Sequence, residues 1–162
     1  MNHYKTTDLC DAFGAKVQVA DPLFRDYGGK IQFSGEIVTL KVADDNTLVR
    51  KKLEGKGNGK VLIIDGGGST RCALVGDQLA KLAADNGWAG IVVNGCIRDS
   101  EDMASIPVGV KARGTVPRKS NKNNTGEADL VIQFANVVFS PGHWLYADHD
   151  GIITSAEALS PA

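Results

Sequence analysis

The stretch GDQLAKLAADNGWAGIVVNGCIRD, residues 76–99, joins a helix pattern directly to a strand pattern. Leu79 and Leu82 fall at helical spacing, and Gly87 is placed to end that helix in a left-handed conformation. Residues 90–93 form a short apolar run, which is typical of a strand that is covered on both faces. The stretch therefore predicts one helix and one buried strand, and it ends on two charged residues.

A second apolar run, at residues 61–64, precedes this helix. Strand, helix and strand in that order predict a right-handed βαβ crossover with parallel strands. Further strands are predicted at residues 33–42, 108–112, 151–154 and, as a pair that meets near Ala135 and Asn136, 130–139. Further helices are predicted at residues 46–53, near the start after a Thr6 or Thr7 cap, and at the end after a Ser155 cap. The pattern predicts a mixed α/β fold.

Size and composition fit a single domain over residues 1–162, since 43% of the residues are hydrophobic and can form a core. Eighteen basic and nineteen acidic residues give a net charge of −1, so direct nucleic-acid binding is not expected. Residues 1–8 lack the apolar run of a signal peptide, and no segment approaches the ~18 apolar residues of a membrane span. The widely spaced Cys10, Cys72 and Cys96 are typical of reduced thiols. We expect a cytoplasmic protein.

The two polar pairs that flank the opening stretch are the main candidates for function. Gly76 and Asp77 begin the predicted helix, while Arg98 and Asp99 follow the next parallel strand. Ligands of open α/β sheets bind beyond the carboxyl ends of strands, so both pairs are expected on one rim. The alternative is structural, with Asp77 as a helix cap and Arg98–Asp99 as a surface salt bridge.

The start of the predicted helix also offers backbone donors. Its first N–H groups have no acceptor within the helix, so the amides of Gln78, Leu79 and Ala80 are expected to form an anion cradle.

Two other segments imitate binding motifs. Gly66–Gly67–Gly68 follows a buried strand, but Arg71 stands where a dinucleotide-binding loop needs its third glycine, so a tight turn is favoured over a nucleotide site. Residues 146–157 partly match a calcium loop through Asp148, Asp150, Gly151 and Glu157. Tyr146 occupies its first ligand position, so a turn stabilised by aspartates is favoured.

The remaining candidates are weaker. His143 and His149 have no ligand-like spacing or third partner, which argues against a metal or catalytic role. A cluster of basic residues lies in the polar segment 117–127 and just before it: Arg113, Arg118, Lys119 and Lys122. This cluster predicts a solvated loop, and the alternative is a surface that binds an acidic protein or RNA.

Segments along nearly the whole chain match one family. They are TTDLCDA (6–12), PLF (22–24), FSGEIVTLKV (33–42), DNTLV (45–49), GNGKVLIIDGGGS (57–69), WAGIVVNGCIRD (88–99) and LYADHDGII (145–153). On these segments the chain resembles the RraA-like family, which includes regulators of ribonuclease E activity and divalent-metal pyruvate aldolases. The resemblance implies an α/β/β sandwich of the swivelling-domain type that assembles into homotrimers or hexamers.

The resemblance also implies roles for the two polar pairs. The family's aldolases carry a Gly-Asp-x-Leu loop whose aspartate is followed by twenty residues and then an Arg-Asp pair; twenty residues also separate Asp77 from Arg98 here. Asp99 then resembles the ligand of a Mg²⁺ or Mn²⁺ ion, and Arg98 the residue that contacts the substrate's carboxylate and keto oxygen. Asp77 would also hold a metal-bound water, and Asp102 supplies a further acidic residue of the pattern. The substrate loop would be Gly76, Asp77, Gln78 and Leu79.

The activity implied by the resemblance is cleavage of 4-hydroxy-4-methyl-2-oxoglutarate to pyruvate through a metal-stabilised enolate, with oxaloacetate decarboxylation at the same site. The alternative is a non-catalytic regulator that binds and inhibits ribonuclease E. Such regulators often have a neutral residue at the position of Asp99, which this chain keeps. The larger aldolases add a C-terminal glutamate to a neighbour's site, and Glu157 cannot be assigned that role from the sequence.

Overall fold

A ten-stranded mixed sheet forms the centre of the computed structural model, which describes residues 4–160. The helices are α1 (Thr6–Phe13), α2 (Thr47–Glu54), α3 (Asp77–Asp85) and α4 (Ser100–Met103). The strands are β1 (Val17–Val19), β2 (Arg25–Asp26), β3 (Phe33–Lys41), β4 (Val61–Asp65), β5 (Ala73–Val75), β6 (Gly90–Ile97), β7 (Gly109–Thr115), β8 (Glu127–Ala128), β9 (Ile132–Phe134), β10 (Val137–Phe139), β11 (Trp144–Asp148) and β12 (Gly151–Ser155). Eight of its strands are hydrogen-bonded in the order β1-β12-β11-β3-β4-β6-β7-β2. The other two, β5 and β8, pair with β6 and β3 respectively.

The central strands are parallel and buried on both faces. β4 lies between β3 and β6 and is parallel to both, and β7 continues the parallel set beyond β6. Alternate residues of β4 enter different cores: Leu62 and Ile64 face the helices, while Val61 and Ile63 face the opposite side. All four are fully buried, which explains why the sequence shows a continuous apolar run there.

Three layers result from this arrangement. One core packs the sheet against the helices, with Val49 and Leu53 of α2 and Leu79 and Ala83 of α3 buried in it. The second core lies on the other face, where the β9–β10 hairpin and the antiparallel strands around β11 cover the sheet. The predicted α/β/β arrangement with parallel and antiparallel strands is confirmed.

A strand that the sequence did not reveal leads into α3. β5 pairs in parallel with the last part of β6, with Ala73 opposite Cys96, beyond the point where the β4–β6 pairing ends at Asp65 and Asn94. Since β5 ends at Val75 and α3 begins two residues later, the immediate strand of the predicted βαβ unit is β5 and not β4. This places the start of α3 beside the end of β6.

Two predicted helix caps are wrong. α1 begins at Thr6, so Lys5 occupies its cap position, and the Lys5 side chain makes no capping hydrogen bond. Instead Asp148, from the far end of the chain, accepts from the Thr6 amide and hydroxyl at 2.7 Å each. Ser155 is the last residue of β12, its hydroxyl donates to the Glu157 carbonyl, and residues 156–160 form no helix.

Within residues 4–160, no helix is long and apolar enough to cross a membrane.

Candidate active site

The two polar pairs meet at the carboxyl ends of β5 and β6. The Arg98 amide donates to the Val75 carbonyl at 3.0 Å, which ties the end of one strand to the end of the other. Gly76 occupies the cap position of α3, and Asp77 is its first residue. The structure therefore brings Gly76–Asp77 and Arg98–Asp99 onto one rim, as the sequence predicts for their placement.

Asp99 is turned back across the start of α3 by its backbone. Its φ and ψ of 58° and 40° are left-handed, a conformation that aspartate tolerates better than most residues. In this position Oδ2 of Asp99 accepts from the Asp77 amide at 3.2 Å and lies 3.9 Å from Nε of Arg98. The carbonyl of Asp99 accepts from the Met103 amide at 2.9 Å, which starts α4. The carboxylate is thus held between the helix start and the arginine.

Two carboxylates lie side by side here. The pKa of Asp77 is raised, first because burial disfavours its charged form, and then because the Asp99 carboxylate shares a hydrogen bond with it and repels its charge. A divalent cation would favour ionisation of both groups. No cluster of three His, Cys, Asp or Glu side chains suited to a metal is found within residues 4–160. Two carboxylates nevertheless fit Mg²⁺, which keeps several waters and commonly takes only one or two carboxylates from the protein.

The predicted anion cradle is only partly correct. The Gln78 amide donates to Oδ1 of Asp77 at 2.8 Å, and the Ala80 amide donates to the Gly76 carbonyl at 3.1 Å, so neither is free for a ligand. The Leu79 amide has no acceptor among the described residues. The aspartate that begins the helix therefore takes one of the donors that were expected to bind substrate.

Gly76 allows the close approach of Asp99. A Cβ atom at this position would lie 2.8 Å from Oδ2 of Asp99 and 3.5 Å from Cγ of Arg98. The first distance is below van der Waals contact, whereas the second is an ordinary contact. The absence of a side chain at residue 76 therefore keeps the carboxylate against the helix start.

Gly76→Ala is expected to displace the Asp99 carboxylate and to weaken Mg²⁺ binding by about 10-fold, the lower end of the effect of disturbing groups that orient a metal ligand. Mn²⁺ titration followed by electron paramagnetic resonance measures this directly. Gly55→Ala is the matched control, because Gly55 also caps a helix, at the end of α2, with negative φ, and its added Cβ would be in ordinary contact with the Lys52 carbonyl. Unchanged Mn²⁺ affinity in Gly76→Ala would show that the contact with Asp99 is irrelevant to the metal.

A cavity of about 250 Å³ opens from this rim. One wall consists of the predicted residues, namely Gly76, Asp77, Gln78, Leu79, Arg98 and Asp99. A second wall consists of residues from other segments that the sequence did not single out together, namely Asn46, Arg50, Lys119, Ser120 and Lys122. The second wall is mostly basic and polar: Lys119, Ser120 and Lys122 belong to the segment predicted to be a solvated loop, and Asn46 and Arg50 to the helix predicted at residues 46–53.

Backbone bonds hold this second wall in place. The Ala73 amide donates to the Arg118 carbonyl at 2.8 Å, which fastens the loop to β5. The Asn121 amide donates to the Asp44 carbonyl at 2.8 Å, and the buried Asp45 carboxylate accepts from the Asn123 amide at 2.5 Å. Its basic side chains are exposed, as predicted, but its backbone is fixed beside the site.

The other sequence candidates lie outside the cavity. The Gly66–Gly68 turn packs on β6, where the Gly66 and Gly68 amides both donate to the Asn94 carbonyl at 3.0 Å. Glu157 lines a separate cleft with Phe13 and Lys16.

The calcium-like segment is a hairpin turn. It connects β11 and β12, and Oδ1 of Asp148 accepts from the Asp150 amide at 2.9 Å. This confirms the predicted turn stabilised by aspartates. His149 lines a small cavity beside this turn, and neither it nor His143 lies against the site described above.

The fold and the rim define a class of protein. A family model described as RraA-like, Aldolase/RraA, matches residues 6–154, and the chain belongs to that family. A protein of Dechloromonas aromatica (strain RCB), provisionally named a 4-hydroxy-4-methyl-2-oxoglutarate aldolase, is 54% identical over 161 residues, covering 97% of this chain and 99% of the relative. One of Aromatoleum aromaticum with the same provisional name is 53% identical over 156 residues, covering 96% and 98%.

Solved structures with two different names share this fold closely. The RNA-processing inhibitor RraA from Thermus thermophilis superposes with a TM-score of 0.94 at 42% identity, covering 98% of this chain and 96% of its own. A protein from Geobacillus kaustophilus HTA426, described as an S-adenosylmethionine:2-dimethylmenaquinone methyltransferase, also reaches 0.94 at 47% identity, covering 96% and 97%. The fold alone therefore does not choose between these activities.

Proposed function

We propose that this protein is a divalent-metal-dependent aldolase that cleaves 4-hydroxy-4-methyl-2-oxoglutarate into two molecules of pyruvate. The observation that carries the proposal is the placement of Arg98 beside the paired carboxylates of Asp77 and Asp99 at the mouth of one cavity. The provisional names of relatives at 53–54% identity support the same reaction.

The proposed reaction breaks the bond between C3 and C4 of the substrate. The C4 hydroxyl loses its proton, its oxygen becomes the keto oxygen of one pyruvate, and the electron pair of the broken bond passes to the other half as an enolate. Protonation of that enolate at C3 gives the second pyruvate. Negative charge therefore develops on the keto oxygen next to a carboxylate, and the site must stabilise both oxygens.

Arg98 is suited to this task because its guanidinium presents a planar fork of donors that matches two oxygens at once. Its side chain is partly exposed and lies in the cavity wall. The free amide of Leu79 offers a further donor at the start of α3, where the helix dipole favours an anion. These groups would bind and orient the carboxylate and keto oxygen of the 2-oxo acid.

Asp99 would hold the metal ion, with Asp77 beside it. A bound Mg²⁺ or Mn²⁺ supplies Lewis acidity toward the carboxylate and keto oxygens of the substrate. Asp77 has a second task in the proposal: its carboxylate, next to Asp99 at the mouth of the cavity, would orient a water that takes up and returns the proton that moves during cleavage. Decarboxylation of oxaloacetate passes through the same pyruvate enolate, so we propose it as a second activity of this site.

The test is release of pyruvate from 4-hydroxy-4-methyl-2-oxoglutarate and from oxaloacetate, each measured with Mg²⁺, with Mn²⁺ and with excess EDTA. Lactate dehydrogenase and NADH report the pyruvate formed. We expect turnover with either metal and its loss in EDTA, with recovery when metal is restored. Turnover that persists in EDTA, or none with any divalent metal, would contradict the proposal.

Binding and inhibition of ribonuclease E is the alternative function, and the close structural match to an RNA-processing inhibitor supports it. It requires no chemistry at Asp99. A protein that releases no pyruvate but lowers ribonuclease E activity in a purified assay would favour this alternative.

A homotrimer or hexamer is also part of the proposal. Several apolar side chains are exposed, and contact between copies of the chain would cover them. They are Val19, Leu23, Val131 and Val138.

A further inference from the structure

The second wall of the cavity carries more positive charge than the proposed bond cleavage requires. Arg50, Lys119 and Lys122 line the same cavity as Arg98 and Asp99. Within residues 4–160, no carboxylate lies within salt-bridge distance of any of these three cations. In the proposed reaction Asp77 and Asp99 offset the charge of the metal, and Arg98 faces the 2-oxo acid head. Three cations therefore remain without an anionic partner.

One of these cations is positioned by the strand that leads into the site. Nζ of Lys122 donates to Oδ1 of Asn46 at 3.0 Å, and Nδ2 of Asn46 donates to the Leu74 carbonyl at 3.2 Å. Leu74 lies in β5, two residues before Gly76. Lys122 is thus linked through Asn46 to the same strand that presents α3, which fixes it relative to the proposed reaction centre.

A buried hydroxyl on the same wall lacks a partner. Ser120 is only 6% exposed, and its Oγ has no hydrogen-bond partner among the described residues. A buried polar group without a partner costs free energy, so such groups are uncommon and call for an explanation. Ser120 lines the cavity beside Lys119 and Lys122, where its hydroxyl could donate a hydrogen bond to a ligand oxygen.

We infer that Arg50, Lys119, Ser120 and Lys122 form a subsite for a second carboxylate of the substrate. This inference rests on the proposed function, since it assumes that the 2-oxo acid head binds at Arg98 and Asp99. The substrate class is then 2-oxo acids whose chain ends in a further carboxylate, as C5 does in 4-hydroxy-4-methyl-2-oxoglutarate. Binding that carboxylate would hold the departing half of the molecule and align the C3–C4 bond, and it would discriminate against acids with an apolar end.

Isothermal titration calorimetry with two uncleavable acids in saturating Mg²⁺ tests the subsite. 2-Oxoglutarate has the same five-carbon backbone and second carboxylate, while 2-oxopentanoate has a methyl group in place of that carboxylate. We expect the protein to bind 2-oxoglutarate at least about 10-fold more tightly, the scale of a charge-assisted hydrogen bond. The comparison needs no turnover, so it is independent of catalytic rate.

Variants of the second wall should reduce that preference selectively. Lys122→Met is expected to weaken the binding of 2-oxoglutarate about 5- to 10-fold, and Ser120→Ala about 3-fold. The affinity for 2-oxopentanoate should change less than about 2-fold in both variants. Lys81→Met is the matched control, because Lys81 is exposed on α3 and does not line the cavity. Arg98→Lys should weaken the binding of both acids, since both carry the 2-oxo acid head.

The outcomes separate the two proposals. Equal binding of both acids by the unmodified protein, or equal weakening of both in Lys122→Met, would overturn the subsite. A preserved preference with no cleavage of 4-hydroxy-4-methyl-2-oxoglutarate would overturn the proposed function and leave the subsite standing. Failure to bind either acid would overturn both.

Discussion

Asp99→Asn is expected to lower metal-dependent turnover by at least about 10²-fold, with a 10- to 100-fold loss of Mg²⁺ affinity, because a neutral amide replaces the proposed ligand. Asparagine is preferred to alanine because residue 99 has a φ of 58°, which asparagine tolerates while alanine would add backbone strain. The side chain is partly exposed, so stability should change by only about 0.5 kcal/mol. Pyruvate release and Mn²⁺ titration on the same preparation measure both effects.

Glu101→Gln is the control for this variant, since Glu101 is an exposed carboxylate of the adjoining α4 and does not line the cavity. It should retain activity and metal affinity. Full decarboxylase activity in Asp99→Asn with Mg²⁺ would contradict the ligand assignment. A thermal unfolding curve excludes loss of fold as the cause of any inactivity.

Arg98→Lys is expected to be nearly as impaired as Arg98→Ala, with kcat lowered by about 10²- to 10³-fold in both, the scale of removing a donor to a developing oxyanion. A lysine keeps the charge but presents a single ammonium group, which cannot bond the carboxylate and keto oxygen together as a planar fork does. Mg²⁺ affinity should change far less than in Asp99→Asn, because Arg98 is not a proposed ligand. Steady-state kinetics with a metal titration on each variant give both quantities.

The competing explanation is that Arg98 only pairs with Asp99, 3.9 Å away. In that case lysine would substitute with little kinetic effect, because a partly exposed ion pair depends on charge more than on shape. Near-normal turnover in Arg98→Lys would therefore rule out the bidentate role. Arg25→Lys, an exposed substitution in β2 away from the cavity, controls for the chemistry of the replacement itself.

The sequence predicts the central fold where burial is local and periodic. Leu62, Ile64, Ile91 and Val93 belong to apolar runs because their strands are covered on both faces, and Gly87 ends α3 with a φ of 79°. β5 was missed because it spans only three residues. So short a segment has no periodicity that distinguishes it from a loop.

The errors at the chain ends have a common cause. Whether Thr6 caps a helix depends on a carboxylate 142 residues away, because Asp148 takes both its amide and its hydroxyl as donors. A pattern that is read within a few neighbouring residues does not contain that contact. Ser155 was misassigned for a similar reason, since pairing with Val17 and Trp144 keeps it in a strand.

The candidate site was predictable only in part. Asp77 and Arg98 could be placed on one rim because both follow from strand and helix order within one continuous stretch. Lys122 and Ser120 could not, because their wall is held by bonds between the segments around Asp45 and Asn123, far apart in sequence. A polar loop that is held in place by residues distant in sequence has the same local composition as a loop that is free in solvent.

Exchange of the methyl protons of pyruvate with solvent tests the central claim most directly, since exchange requires the enolate that this site is proposed to stabilise. The protein is incubated with pyruvate in D₂O, and the methyl signal is followed by proton NMR with Mg²⁺ and with EDTA. The account predicts rapid loss of the signal with Mg²⁺, none above background in EDTA, and loss at least about 10²-fold slower in Asp99→Asn and Arg98→Lys. Exchange no faster than without protein, or exchange that is unaffected by EDTA, would contradict it.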